Sequence, residues 1–81
     1  MKLHPSTFDY LKPDDAQLAL MERVRRITRM YADDLGTLLP DGPDKTYLLR
    51  KLREINMWAM IAISREADGA PRSALRDWPG P

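Results

Sequence analysis

The stretch Ile55-Asn56-Met57-Trp58-Ala59-Met60-Ile61-Ala62-Ile63 is apolar at every position except Asn56. It holds neither proline nor glycine and continues a helical pattern that begins upstream, so it reads as helix. One partner helix covers only one face of such a segment, and a helix that is apolar all round is buried all round. The other faces therefore need a second source of cover: further copies of the chain, or its own terminal segments folded across. The first source makes Ile55, Trp58, Ala59 and Ala62 an oligomer interface.

Outward from this stretch the chain divides at proline and glycine. From Asp44 to about Glu66 there is neither, and Leu48, Leu52, Ile55, Ala59 and Ala62 form a stripe, with Lys45, Arg50, Lys51 and Arg53 off it. Pro43 suits a first helical turn, with Asp44 following it. Pro40-Asp41-Gly42-Pro43 is a turn. Before it, Asp14 to Leu39 has no proline, and its only glycine is Gly36. Leu20, Val24, Ile27, Tyr31, Leu35 and Leu38 recur there every three or four residues, and Asp14 and Gln17 have the spacing of a capping box. Two long helices joined by a short turn fold back as an antiparallel hairpin. The expected class is all-α: an extended N-terminal arm over 1–13, the hairpin over 14–66, and a Pro/Gly-rich C-terminal tail over 67–81 in which Trp78 docks on a neighbour or stays mobile.

Composition agrees with one small domain. In 81 residues, 43% are hydrophobic and 31% charged, so the chain is neither disordered throughout nor membrane-embedded. A core this small usually needs a staple. With no cysteine, disulfides and thiolate zinc are ruled out, which leaves oligomerisation. Thirteen basic against twelve acidic residues give a net charge of +1, which calls for neither nucleic acid nor an anionic membrane. The opening Met1-Lys2-Leu3-His4-Pro5 lacks an apolar signal core, and no run approaches the ~20 apolar residues of a membrane span. The expectation is a soluble, cytoplasmic protein.

Catalytic groupings are sparse. His4 is the only histidine and lies beside Pro5. Asp14-Asp15 and Asp33-Asp34 are adjacent pairs, and neighbours on a helix point ~100° apart rather than sharing a face. Ser64 has no base near it, and there is no glycine-rich phosphate loop or metal-ligand spacing. The reading is of a protein that is not an enzyme and uses no cofactor or metal. The arginines are more informative. Arg23, Arg25, Arg26 and Arg29 lie within two turns, and the spacing of Arg25, Arg26 and Arg29 lets them project toward one region. Guanidinium forks suit phosphate oxygens; the alternative is a solvated face on which Glu22 pairs with Arg25 or Arg26. Phe8 and Tyr10 alternate in the arm, either as a clasp over the hairpin or as two π-faces for stacking on a base.

The order of these elements resembles the short helical-hairpin domain of bacteriophage counter-defence proteins, the anti-CBASS and anti-Thoeris sponges that sequester cyclic-nucleotide immune signals. The resemblance rests on Phe8-Asp9-Tyr10 with Pro13 and Gln17, Arg25, the Pro40 turn, Lys51-Leu52-Arg53-Glu54, Met57-Trp58-Ala59 and Ala62-Ile63-Ser64-Arg65. It implies a compact hexamer in which the apolar half of the second helix is interprotomer core. It also implies binding, without cleavage, of cyclic dinucleotides, or in some members cyclic ADP-ribose isomers or cyclic trinucleotides. By motif position Tyr10 stacks on a base and Arg25 holds phosphate, with Phe8, Arg26 and Arg29 as weaker neighbours. Arg50, Met60, Pro43 and Leu11 depart from the pattern and leave the ligand's identity open.

The leading expectation is therefore a homo-oligomeric sponge, hexamer favoured, whose Tyr10 and Arg25 meet across a protomer boundary. Two other classes stay open: a small nucleic-acid-binding regulator using the helix-one arginines, and a structural oligomerisation module.

Overall fold

The computed structural model describes residues 2–72. Two helices, α1 (Asp15–Leu38) and α2 (Pro43–Ser64), pack against each other as a hairpin, and no strand is present among the described residues. Trp78 and the rest of 73–81 lie outside the described residues.

The helix starts follow from local chemistry. Asp14 closes the capping box: its carboxylate accepts from the Gln17 backbone N–H at 2.7 Å, and its own N–H donates to Gln17 Oε1 at 3.0 Å. α2 opens with Pro43 inside its first turn, where a missing N–H costs no helical bond. Lys45 reaches back from that turn and donates to the carbonyls of Gly36 at 2.7 Å and Leu39 at 3.3 Å. A cation on the free carbonyls at the end of α1 offsets the negative end of the helix dipole, and it ties the two helices at the turn.

The far end is closed by hydrogen bonds as well as by the buried Ile63 side chain. Gln17 is buried, and its amide Nε2 donates to the carbonyls of Ile63 at 3.2 Å and Arg72 at 3.3 Å. After α2 the chain doubles back, with a bridge between Arg65 and Pro71, and Glu66 N–H donating to Ala70 O at 2.7 Å. Gly69 sits there at φ +93°, and a Cβ at this position would collide with the Thr7 side chain. The arm lies against this fold-back: His4 N–H donates to Asp68 O at 2.8 Å.

The expected extended arm is instead turned. Thr7 N–H donates to His4 O and Asp9 N–H to Ser6 O, which makes two overlapping turns. Thr7 Oγ1 donates to His4 O and the Ser6 N–H donates to His4 Nδ1, local side-chain bonds of the kind that favour turns over a strand.

The seam between the helices is narrow. Among the described apolar side chains only Met21, Leu52 and Ile63 are buried. On α1 the side chains shielded from solvent follow Gln17, Met21, Val24, Thr28 and Leu35, while Ile27, Tyr31 and Leu38 from the expected stripe are exposed, Leu38 at 77%. On α2 the seam follows Leu48, Leu52, Asn56, Ala59 and Ile63, while Ile55 and Ala62 are exposed. The apolar stripe is thus wider than the seam, and its surplus falls on one flank. Trp58, at 62%, stays exposed, and no described segment of the chain covers it.

Candidate functional site

Helix phase decides what each flank of the hairpin carries. At ~100° per residue, Arg25 and Arg29 share one edge of α1, and Ile27, Tyr31 and Leu38 lie along the opposite edge. The first edge faces α2 across a groove of about 460 Å³ lined by Arg25, Thr28, Arg29, Ala32, Leu49, Leu52, Arg53, Asn56 and Met57. The sequence reading brought Arg25 and Arg29 to this region but missed Arg53 and Asn56. Both come from the other helix, and only the antiparallel pairing sets them opposite the α1 arginines.

Each guanidinium has a different setting. Arg25 leans over the groove and donates to Met60 Sδ at 3.6 Å, a weak contact that holds it toward α2. Arg26 is turned away and pairs with Glu22 at 3.5 Å on its own helix, both side chains being largely exposed. Such an exposed i,i+4 pair contributes little. With Arg25, Arg29 and Glu22 it borders a second, shallower depression of about 260 Å³. Arg29 and Arg53 take part in no hydrogen bond or ion pair among the described residues. The groove therefore presents three guanidinium groups whose donors are still open, above a floor that is partly apolar. Planar forks around a nucleotide-sized concavity suit phosphate oxygens.

Asn56 sits where groove and seam meet. Its Oδ1 is shut off from solvent and accepts no hydrogen bond among the described residues. A buried polar atom left in this way costs about 1–3 kcal/mol.

The arm aromatics do not join the groove within one chain. Phe8 and Tyr10 are 90% and 87% exposed, so neither clasps the hairpin and neither lines the groove. Their position is set by Arg65. Its guanidinium donates to Ser6 O at 2.9 Å, to Gly69 O at 2.7 Å and, in a short contact, to Asp9 O. Three carbonyls on one planar fork fix the arm on either side of Phe8 without any apolar packing. The sequence marked Arg65 only as part of the resemblance; its spacing to the arm carries no local signal.

The opposite flank holds the expected oligomer residues. Ile55 and Trp58 are well exposed, Ala62 is exposed and Ala59 half-buried. By helix phase Ile55 and Ala62 lie on the side of α2 nearest Ile27, Tyr31 and Leu38, with Trp58 at its outer edge. These side chains give this flank exposed apolar surface, with Lys51 of the Lys51–Glu54 pair on the same side of α2.

The candidate acid–base groups are spent on structure or left in solvent. His4 Nδ1 and Ser6 Oγ are 2.8 Å apart within the arm turn, Ser64 Oγ donates to Met60 O at 3.0 Å, and Asp14 caps α1. Asp33 and Asp34 are exposed on α1. Among the described residues, no group of three or more His, Cys, Asp or Glu side chains is placed to hold a metal ion. No described helix is long and apolar enough to cross a membrane. Compared with known protein families, curated proteins and solved structures, the chain gives no significant match.

Proposed function

We propose that this chain is a non-enzymatic sponge: a homo-oligomer, hexamer favoured, that binds a cyclic nucleotide second messenger and withholds it from an effector. The observation that carries the proposal is the groove in which Arg25 and Arg29 of α1 face Arg53 of α2. Three arginines with open donors are suited to two phosphates held close together, as in a cyclic dinucleotide. Arg25 is the main phosphate contact, with Arg26 and Arg29 at its edge. Tyr10, and secondarily Phe8, supply the stacking face. Both are presented outward by the Arg65 clasp, so the natural recipient is the groove of a neighbouring copy. The resemblance to anti-CBASS and anti-Thoeris sponges narrows the anion to a cyclic nucleotide and places its capture in the cytoplasm of an infected cell. The apolar flank through Ile55, Trp58 and Ala62 supplies the contact between copies.

Calorimetry against cyclic dinucleotides, cyclic trinucleotides and cyclic ADP-ribose isomers tests this. A bound member raises the unfolding free energy by ~2.7 kcal/mol at a hundred times its dissociation constant, and the ligand is recovered intact from heat-denatured complex. No binding across the panel, or recovery of linear product, overturns the proposal. The row of Arg25, Arg26 and Arg29 along one face of α1 favours one other reading, a nucleic-acid binder. That reading requires retention of DNA or RNA with an affinity that falls steeply as salt rises.

A further inference from the structure

The groove has a second chemical feature besides its arginines. Asn56 lies in its wall, and the Asn56 Oδ1 has no hydrogen-bond donor among the described residues although it is buried. Leu49, Leu52, Ala32 and Met57 give the same groove apolar surface, beside which an unpaired amide oxygen is costly. Thr28 and the three arginines line the same groove, yet none of them donates to this oxygen, and a donor that enters the groove would supply its partner. The amide's terminal torsion is broad, so a modest turn brings the acceptor and the adjoining Nδ2 donor side by side toward the cavity.

We infer that Asn56 is a base-reading residue and that the ligand it selects is an adenine nucleotide. This rests on the cyclic-nucleotide reading and adds the identity of the base. An amide pairs with adenine in two bonds, Oδ1 accepting from the N6 amine and Nδ2 donating to a ring nitrogen, and adenine offers that donor–acceptor pair on both of its outer edges. Guanine meets the same amide less well. Its major-groove edge presents two acceptors, which leaves Oδ1 unpaired. Its N1 edge matches, so guanine offers the amide one suitable edge where adenine offers two. A pyrimidine satisfies the amide yet fills less of a groove of about 460 Å³. Adenine is the base that both pairs the amide on either outer edge and has the size of a purine.

The test uses the full chain titrated calorimetrically with cyclic di-AMP, cyclic di-GMP and cyclic di-UMP, in the wild type and in Asn56→Leu. Leucine suits the apolar surroundings and removes the unpaired oxygen, so the ligand-free melting temperature should hold or rise. Wild type should bind cyclic di-AMP at least ~10-fold more tightly than the other two, in line with the discrimination of a bidentate amide–base pair. Asn56→Leu should lose that preference by weakening cyclic di-AMP the most. A third protein, Arg53→Gln, should weaken all three ligands alike. Binding without adenine preference, or a preference that survives Asn56→Leu, overturns the role of Asn56 and leaves the sponge standing. Failure of wild type to bind any of the three overturns the role of Asn56 as stated, and the sponge falls with it when cyclic trinucleotides and cyclic ADP-ribose isomers also fail to bind.

Discussion

The two flanks of the hairpin grow from the same pair of helices and make opposite demands. On one, Arg25, Arg29 and Arg53 border a concavity that water or an anion fills without penalty. On the other, Ile27, Tyr31, Leu38, Ile55 and Trp58 stand in solvent. Apolar surface left exposed forgoes about 25 cal/mol for every Å² that a partner would bury. The difference follows from geometry: two helices share one seam, and this seam buries only Met21, Leu52 and Ile63 among the described apolar side chains. No described part of the chain covers the apolar surface beyond the seam. On the reading proposed above, the charged flank takes a ligand and the apolar flank another copy.

The comparison is broken most directly at Trp58. Trp58→Asp should yield insoluble chain or a monomer of 9.3 kDa by light scattering, because a charge would sit in the interface between copies. Wild type should scatter as an oligomer at low micromolar concentration. If wild type is itself a monomer, the two flanks are alike in facing solvent and the contrast fails.

Gln17, in the seam between the flanks, comes next. Gln17→Ala removes the donor to the Ile63 and Arg72 carbonyls and half of the capping box. A loss of about 2–3 kcal/mol is expected in urea unfolding, since buried acceptors are left without partners. A midpoint that does not move would mean that the arm end is held by something other than Gln17.

On the basic flank, Arg25→Ala and Tyr10→Ala should each weaken cyclic-nucleotide binding at least ~10-fold, a loss of 1.4 kcal/mol. Oligomer mass and ligand-free melting temperature should change little, because both side chains are exposed. Wild-type affinity in both, with loss in Arg50→Ala instead, would move the pocket elsewhere on the hairpin.

The smallest effect belongs to the turn end, where both flanks meet. The Asp41 carboxyl is held below its usual value of 3.8 by a hydrogen bond from Lys45 and by that ammonium's charge. A depressed folded-state value gives stability that is present above the unfolded value and lost as pH falls through the folded one. The melting temperature of wild type should therefore gain a slight acid sensitivity below about pH 4 that Asp41→Asn lacks. Lys45→Met should cost about 0.3–1 kcal/mol at neutral pH through the uncapped α1 carbonyls. Equal acid profiles in wild type and Asp41→Asn would show that the pair contributes nothing.

Much of the architecture is legible in the residues. Asp14 and Gln17 gave the start of α1, the Pro40 to Pro43 turn gave the reversal, and the all-round apolar run at 55–63 gave a helix that one partner leaves partly uncovered. These features depend on short-range backbone chemistry and on periodicity, which act within a few residues. Tertiary packing alone decided how far each helix is rotated about its axis. The α1 stripe was broad enough to fit several rotations, and polar Gln17 entered the seam because it can donate to Ile63 and Arg72 across it. That rotation placed Arg53 and Asn56 beside Arg25 and Arg29, left Ile27 and Tyr31 outside, and let Arg65 gather the carbonyls of an arm 56 and 59 residues away. Contacts between residues so distant in sequence leave no periodic trace, because they depend on where the second helix lies and not on the spacing within either one.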